Sequence, residues 1–236
     1  MKFLIKLATR GRLHNFYRTI LNIKSTIGDS FGYEIIVSCD EDDLEMNNDE
    51  VKGFVEMQQY VKIFYAPQTD KIGAINRDIE KAKQWDVLIN FSDDMLWVVK
   101  NWGCEIEKDI KECFDGSLDC FLHYNDNFVG DKLPTLNICG KEYYDRFGYI
   151  YHPSYHAFSS DAENFFISKM LGKHRYFPKV LFHHVHPSNL RFESDATYRL
   201  NDKWGAIDTE NYFQRREKLF FVENPVCIPY NPLIRE

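Results

Sequence analysis

Residues 87–94 decide the fold, because an apolar run ends there in three polar side chains: Val87-Leu88-Ile89-Asn90-Phe91-Ser92-Asp93-Asp94. The apolar run is typical of a buried β-strand. It continues directly into Ser92, Asp93 and Asp94, so the strand carries these side chains to its carboxyl end. In sheets of parallel strands flanked by helices, ligands bind beyond that end.

Segments of the same kind lie on either side of this strand along the chain. Strands are predicted over residues 3–7, 33–39, 61–65 and 179–186, and helices over residues 13–27, 70–82, 102–114 and 160–172 and from residue 208 onward. The alternation of strands and helices in the first half favours an α/β fold with a parallel sheet covered on both faces. Neither a repeat nor a linker divides the chain, so we expect a single domain.

The composition excludes several classes of protein. The chain has 236 residues with a formal net charge of −7, and 44% of its residues are apolar, so it can form a core and is a poor general nucleic-acid binder. No apolar run approaches the roughly 20 residues that span a bilayer, and Met1–Lys6 is too short for a secretory signal. We therefore expect a cytoplasmic protein whose cysteines are reduced thiols.

The adjacent carboxylates of Asp93 and Asp94 form a candidate metal site. They repel each other, so both must be solvated or bound to a cation. Mg²⁺ and Mn²⁺ prefer carboxylate oxygens together with the phosphate oxygens of a substrate. Acidic residues also lie at helix N-termini, where they complement the helix dipole, and the sequence leaves this alternative open.

A second candidate metal site is the run His183-His184-Val185-His186, which holds three of the eight histidines. In a strand, His184 and His186 point to one face and His183 to the other. Two imidazoles on one face suit a transition metal such as Mn²⁺. A histidine cluster at a sheet edge that only forms hydrogen bonds is an equally open alternative.

The turn after the first strand carries candidate phosphate-binding residues. Thr9, Arg10 and Arg12 flank Gly11 and offer one hydroxyl and two guanidinium groups. Such groups suit contacts with phosphate oxygens. The turn has no Gly-x-Gly-x-x-Gly or Walker pattern, so a solvated turn without a ligand is the alternative.

The junction before the helix at residue 160 carries a candidate general base, Asp161. A carboxylate at such a junction can accept a proton from a hydroxyl group. Ser160 and Glu163 have the spacing of a capping box, which predicts Ser160 as the helix cap. Asp161 would then be an ordinary acidic residue of the first helical turn.

Taken in order, five blocks make the chain resemble a GT-A-fold glycosyltransferase of the family-2-like kind over roughly residues 2–220. The blocks are Lys6-Leu7-Ala8-Thr9-Arg10-Gly11-Arg12, Ile36-Val37-Ser38-Cys39-Asp40, Lys71-Ile72-Gly73-Ala74-Ile75-Asn76-Arg77, Ile89-Asn90-Phe91-Ser92-Asp93-Asp94-Met95 and His184-Val185-His186-Pro187. Residues 148–155, followed by Asp161 and Glu163, are similar to the acceptor side of that family.

The resemblance implies a fold and a division of the chain. The implied fold is a GT-A, Rossmann-like, three-layer α/β sandwich with a mixed, mostly parallel sheet. It forms one domain over residues 1–236. Residues 1–115 would bind the nucleotide sugar, and residues 116–236 would form the acceptor side and complete the metal site.

The resemblance also implies roles for several polar residues of these blocks and for Asp161. On the donor side, Thr9, Arg10 and Arg12 would contact the nucleoside diphosphate, Asp40 would contact the base or ribose, and Lys71 and Asn76 would contact the donor. Ser92 and Asp93 would contact the ribose or sugar. Asp94 would bind the metal, His184 or His186 would complete the metal shell, and Asp161 would act as the base. Ser92 occupies the first position of the family's Asp-x-Asp motif. This departure weakens the expected ribose contact and leaves the division between Asp93 and Asp94 open.

The implied activity is inverting transfer of a sugar from a nucleotide-diphosphate donor to an acceptor hydroxyl, with Mn²⁺ or Mg²⁺. The acceptor would be a saccharide or a hydroxymethylated DNA base, and the basic residues for a DNA contact would be Lys169, Lys173, His174, Arg175, Lys179 and Arg191. A Mg²⁺-dependent nucleotidyltransferase and a non-catalytic binding module are the alternatives. A nucleotidyltransferase would carry a Gly-rich basic loop after the first strand, and this sequence has none.

Overall fold

The computed structural model describes residues 1–185 and 200–229. Its strands are β1 (Lys2–Ala8), β2 (Gly32–Asp40), β3 (Val61–Ala66), β4 (Val87–Phe91), β5 (Met95–Trp97), β6 (Phe121–Asn125), β7 (Asn137–Gly140), β8 (His174–Val180) and β9 (Phe182–His184). Its helices include α1 (Leu13–Thr26), α2 (Asp49–Glu56), α3 (Lys71–Asn76), α4 (Trp102–Cys113), α5 (Lys141–Asp145), α6 (Ser160–Met170) and α7 (Gly205–Glu217).

A seven-stranded sheet in the order β3-β2-β1-β4-β7-β6-β8 forms the centre of the molecule. Strand β7 pairs antiparallel with both of its neighbours, and the other pairs in this sheet are parallel. Strands β5 and β9 form a separate antiparallel pair. The predicted α/β fold with a mixed, mostly parallel sheet is confirmed.

The alternation of side chains along β1 explains why both faces of the sheet are covered. Phe3, Ile5 and Leu7 point to one face, where they join a buried cluster that includes residues of α1 and α4. Leu4 points to the other face and joins a cluster that includes residues of α5 and α6. Successive residues of a strand point to opposite faces, so an almost wholly apolar strand needs a layer of helices on each side.

Lys6 is the polar exception within β1, and it is fully buried. Its ammonium group donates to the Ser38 hydroxyl of β2, and that hydroxyl donates to the Asp78 carboxylate at 2.5 Å. Burial lowers the pKa of Lys6 to about 7, against the opposing effect of the Asp78 charge. These bonds tie the centre of the sheet to the turn that follows α3.

The predicted helix over residues 70–82 is shorter in the structure. Helix α3 ends at Asn76, and the next two residues leave the helical conformation, with Asp78 at a φ of 71°. A 3-10 turn over Ile79–Lys81 follows. The apolar residues kept a helical spacing across this break, so periodicity alone did not reveal it.

The predicted strand over residues 179–186 also differs from the structure. It is divided at Leu181 into the end of β8, which lies in the main sheet, and β9, which pairs with β5. His186 lies outside the described residues. Strand β5 follows Asp94 directly and has only three residues, too few for a periodic signal.

The capping box predicted at Ser160 is wrong. The N-cap position is Ser159, at a φ of 62° and without a capping hydrogen bond, and Ser160 is the first helical residue. Glu163 instead accepts hydrogen bonds from Tyr155 at 2.7 Å and from Arg215 at 2.7 and 2.8 Å. Long-range partners have therefore replaced the local cap. No helix in the described part of the chain is both long and apolar enough to cross a membrane.

Candidate active site

A cleft of about 620 Å³ opens at the carboxyl ends of β1, β2 and β4. The parallel pairing of β1 with both neighbours sets Ala8 beside Ser38 and Leu7 beside Phe91, so the three following loops converge. Eight of the residues predicted to bind donor or metal line this cleft: Thr9, Arg10, Arg12, Asp40, Lys71, Ser92, Asp93 and Asp94.

Asp93 links the loop after β4 to the loop after β1. Its carboxylate accepts hydrogen bonds from the Thr9 hydroxyl at 2.6 Å and from the Arg12 guanidinium at 2.8 Å. The side chain is 2% exposed. Burial raises the pKa of the Asp93 carboxyl, whereas the Arg12 charge and the Thr9 bond lower it. Asp93 thus fixes the position of the phosphate-binding candidates.

Asp40 lies between two arginines at the end of β2. Arg10 contacts one carboxylate oxygen at 2.8 Å, and Arg77 contacts the other at 3.1 Å. Arg10 also forms a two-bond contact with Asp42 at 2.7 and 2.9 Å. Arg77 belongs to the same sequence block as Lys71, but its role was not predicted, because only the fold brings it to Asp40.

Asp94 faces His184 because β5 pairs with β9. The pairing sets Met95 opposite His184, and the Val185 amide donates to the Asp94 carbonyl at 2.8 Å. The His184 Nε2 atom lies 3.6 Å from Asp94 Oδ2. Burial alone would lower the pKa of His184, but the carboxylates of Asp126 and Asp94 raise it to about 9.

The chemistry of these two donors suits a divalent ion shared with a substrate. Among residues 1–185 and 200–229, no group of three or more His, Cys, Asp or Glu side chains is arranged to hold a metal ion. Asp94 lines the cleft, whereas His184 is not among the described residues that line it and reaches the site through Asp94. A carboxylate and an imidazole that face each other fit Mn²⁺, which also accepts phosphate oxygens and water as ligands. The residues present therefore fit a metal that would complete its shell with water or with phosphate oxygens.

Asp161 lies in the first turn of α6, where its carboxylate accepts a hydrogen bond from the Ala162 amide at 2.8 Å. Burial raises the pKa of Asp161, while the Lys71 and His184 charges act in the opposite direction. Asp161 thus lies within electrostatic range of Lys71 and His184, although in the described part of the chain it is not among the residues that line the cleft.

Asn76 does not line the cleft, contrary to the role expected for it. Its side-chain oxygen accepts hydrogen bonds from the amides of Ile150 and Tyr151 at 2.9 and 3.1 Å. Its nitrogen donates to the Tyr151 carbonyl at 2.7 Å. The amide is thus used to attach α3 to the second half of the chain, and we remove Asn76 from the candidate donor-binding residues.

Two aromatic side chains that the sequence analysis missed, Phe158 and Trp204, also line the cleft, and we call them the aromatic wall. The ring of His156 stacks on Trp204 with centroids 3.9 Å apart. Asp208 accepts hydrogen bonds from the amides of residues 156, 157 and 158. No sequence pattern predicted the wall, because its two members come from loops that only the fold brings together.

Comparison with solved structures identifies the fold. The chain is similar to a mannosyltransferase from Pyrobaculum calidifontis in complex with GDP-Man and Mn²⁺, with 12% identity, a TM-score of 0.65 and coverage of 94% of this chain and 65% of that one. GalNAc-T7 with UDP, GalNAc and Mn²⁺ has 14% identity and a TM-score of 0.65, and the match covers 95% of this chain and 52% of GalNAc-T7. TarS from S. aureus has 12% identity and a TM-score of 0.59, and the match covers 78% of this chain and 36% of TarS.

These likenesses show that the chain has the GT-A fold, as the resemblance in its sequence implied. The chain spans between 36% and 65% of the length of these three proteins. No protein-family model and no curated protein sequence matches the chain. Assignments of individual residues therefore depend on the geometry of the cleft.

The pairing of Arg12 with Asp93 predicts a pH-dependent loss of stability. Arg12→Met leaves the buried carboxylate without its guanidinium, so we expect the free energy of unfolding to fall by about 3–5 kcal/mol at pH 7. The deficit should shrink as the pH is lowered, because the buried Asp93 carboxyl then becomes protonated and neutral. Urea denaturation at several pH values measures both effects.

The matched control is the double variant Arg12→Met/Asp93→Asn, which removes both charges. It should recover most of the lost stability, since neither charge remains buried without a partner. A single variant as stable as the wild type at pH 7 would contradict the structural role given to this pair.

Proposed function

We propose that this protein is a metal-dependent glycosyltransferase that moves a sugar from a nucleotide-diphosphate donor to an acceptor hydroxyl with inversion. One observation carries the proposal: eight polar residues from four separate segments converge in one cleft of a GT-A fold. Two of the three structures it resembles were solved with GDP-Man or with UDP and GalNAc, each with Mn²⁺. Their metal and donors are the starting point for this chain.

In this proposal, Asp94 and His184 hold the divalent ion, and Thr9, Arg10, Arg12 and Lys71 surround the diphosphate. The bound ion supplies Lewis-acid stabilisation of the negative charge that develops on the leaving diphosphate. The arginines add fixed positive charge whose orientation is set in advance by Asp40, Asp42 and Asp93, so little reorganisation accompanies the reaction. His186 stays a proposal for a further ligand.

Asp161 acts as the general base in the proposed mechanism. A carboxyl with a raised pKa is a stronger base once ionised, and a base near the working pH is the most effective. The acceptor oxygen loses its proton to Asp161 as it attacks the anomeric carbon, and the bond to the diphosphate breaks on the opposite face. This single displacement inverts the configuration and forms no covalent intermediate.

Glu163 is poorly suited to the role of base. It is 2% exposed, and both of its oxygens accept hydrogen bonds from Arg215, one of them also from Tyr155. Both oxygens are thus engaged by partners within the chain, which leaves them less available to an acceptor hydroxyl. The geometry thus supports Asp161 over Glu163.

A saccharide is the acceptor we propose. The aromatic wall offers apolar ring faces beside the cleft, and such faces pack against flat, partly apolar ligands. Two of the basic residues considered for DNA contact are already ion-paired, Lys173 with Asp119 at 2.8 Å and Lys179 with Glu105 at 2.7 Å. Arg191 lies outside the described residues. The charges needed for a DNA groove are therefore partly compensated within the chain.

The reaction product tests the proposal. Incubation with nucleotide-diphosphate sugars, a saccharide mixture and Mn²⁺ should release a nucleoside diphosphate, whereas a nucleotidyltransferase would form or consume pyrophosphate. Asp94→Asn should lower the rate by about 100-fold or more, because several kcal/mol of charge stabilisation depends on the metal. The control is Asp131→Asn, which removes an exposed carboxylate outside the cleft. Equal rates for these two variants would contradict the proposed metal site.

The pH profile tests the base. Asp161→Asn should lower the turnover number by about 10²–10⁴-fold. In the wild type, turnover should fall as the pH is lowered through the Asp161 pKa, which burial places above the ordinary value of 3.8. Glu163→Gln is the matched control, and it should lose stability but keep the acid limb of the profile. An acid limb that persists unchanged in an active Asp161→Asn variant would exclude this base.

A further inference from the structure

Asp126 is a buried carboxylate that lies outside the cleft, behind His184. It is 1% exposed and follows directly after β6. One of its oxygens accepts hydrogen bonds from the amides of Phe128, Val129 and Gly130 at 2.9, 2.7 and 3.1 Å. The other accepts from the Thr135 hydroxyl at 2.8 Å. These four bonds hold the carboxylate in one orientation.

The imidazole of His184 lies between two carboxylates. Its Nε2 atom is 3.6 Å from Asp94 Oδ2, and its Nδ1 atom is 3.8 Å from Asp126 Oδ2. The His184 amide also donates to the Asp126 carbonyl at 3.2 Å. The edge of β9 is therefore attached through its backbone to the residue whose side chain faces the ring.

An aromatic side chain also packs against the His184 ring. Phe128 packs edge-on against it, with the planes 86° apart and the centroids 6.2 Å apart. In the neutral ring that would bind a metal, a carboxylate fixed beside Nδ1 favours the tautomer in which Nδ1 carries the proton and Nε2 keeps a lone pair. A histidine that binds a metal through one nitrogen commonly presents its other N–H to a carboxylate. Here Nδ1 and Asp126 Oδ2 are in ion-pair contact at 3.8 Å, which is longer than a hydrogen bond.

We propose that Asp126 is a positioning residue that orients His184 so that Nε2 faces the cleft as a metal ligand. The inference rests on the proposed function, because it takes His184 as a ligand of the divalent ion. Asp126 itself contacts neither metal nor substrate. Asp126 sets the orientation and the tautomer of the neighbouring His184 ring. The Asp126 carboxylate is itself fixed by its hydrogen bonds to the amides of residues 128–130.

The affinity for Mn²⁺ alone tests this inference without an activity assay. Electron paramagnetic resonance of free Mn²⁺ gives the dissociation constant for each variant. Asp126→Asn keeps an oxygen for the three backbone amides but presents an N–H donor to the ring, which favours the wrong tautomer. Its dissociation constant should rise by about 10–100-fold. His184→Ala should weaken binding at least as much.

A control separates orientation from charge. Asp161→Asn also removes a negative charge that His184 feels, but it leaves both ring nitrogens with their neighbours. It should change the dissociation constant by much less than Asp126→Asn. Equal weakening by the two variants would mean that only charge matters and would overturn the positioning role.

The remaining outcomes are also decisive. Weak binding in His184→Ala together with wild-type binding in Asp126→Asn would overturn this inference and leave the proposed metal site intact. Wild-type binding in His184→Ala would overturn both. If circular dichroism shows that Asp126→Asn is unfolded, Thr135→Val carries the test. It removes the hydroxyl that holds the Asp126 oxygen facing the ring, so that this oxygen loses its fixed orientation. Its dissociation constant should rise, and an unchanged value would contradict the proposal.

Discussion

The parallel pairing of β1 with β2 and β4 is the constraint on which the rest of the structure depends. It brings three loops to one edge of the sheet, and each loop starts where the backbone leaves the ladder. The strands are largely apolar on both faces, with Lys6 of β1 as a buried exception, so most polar side chains of this region lie at the strand ends and in the loops. The cleft follows from this arrangement, and so does its composition of carboxylates, guanidiniums and hydroxyls.

The carboxylates of the cleft fall into two groups with different consequences. Asp40 and Asp93 are each paired with arginines from neighbouring segments, which fixes the loops and orients positive charge toward the cleft. Asp94 faces an imidazole from the second half of the chain. The adjacent residues Asp93 and Asp94 therefore have different partners. Asp93 is paired with Arg12, whereas Asp94 faces His184 and is suited to bind a metal. Some of the acidic residues behind the net charge of −7 therefore lie in this cleft, so the net charge does not describe the surface as a whole.

Much of the proposed donor site could be predicted from the sequence, because its residues lie at or just after the ends of strands that periodicity identifies. Thr9, Asp40 and Asp93 reach the cleft for that reason. The metal side was less predictable: β5 is too short to show a period, and the break at Leu181 separates two segments that both resemble strands. Asp126 carried no signal at all, since its relation to His184 exists only after β5 and β9 pair.

Asn76 shows the limit of reasoning from resemblance. It lies in a sequence block that suggests contact with a donor, yet its amide is used by the backbone of residues 150 and 151. A side-chain amide suits a backbone segment as well as a ligand. Whether the amide binds backbone or ligand depends on the path of the second half of the chain. That path is hard to predict, because residues 115–160 show little hydrophobic periodicity.

The most direct test of the account is the thermal unfolding of the wild-type protein with nucleotide-diphosphate sugars, each added with Mn²⁺ or with EDTA. A donor that binds the native cleft through a shared metal should raise the melting temperature only when Mn²⁺ is present, and at 100 times its dissociation constant it should add about 2.7 kcal/mol of stability. The same rise in EDTA, or no rise with any donor, would contradict a metal-dependent donor site at the carboxyl ends of β1, β2 and β4.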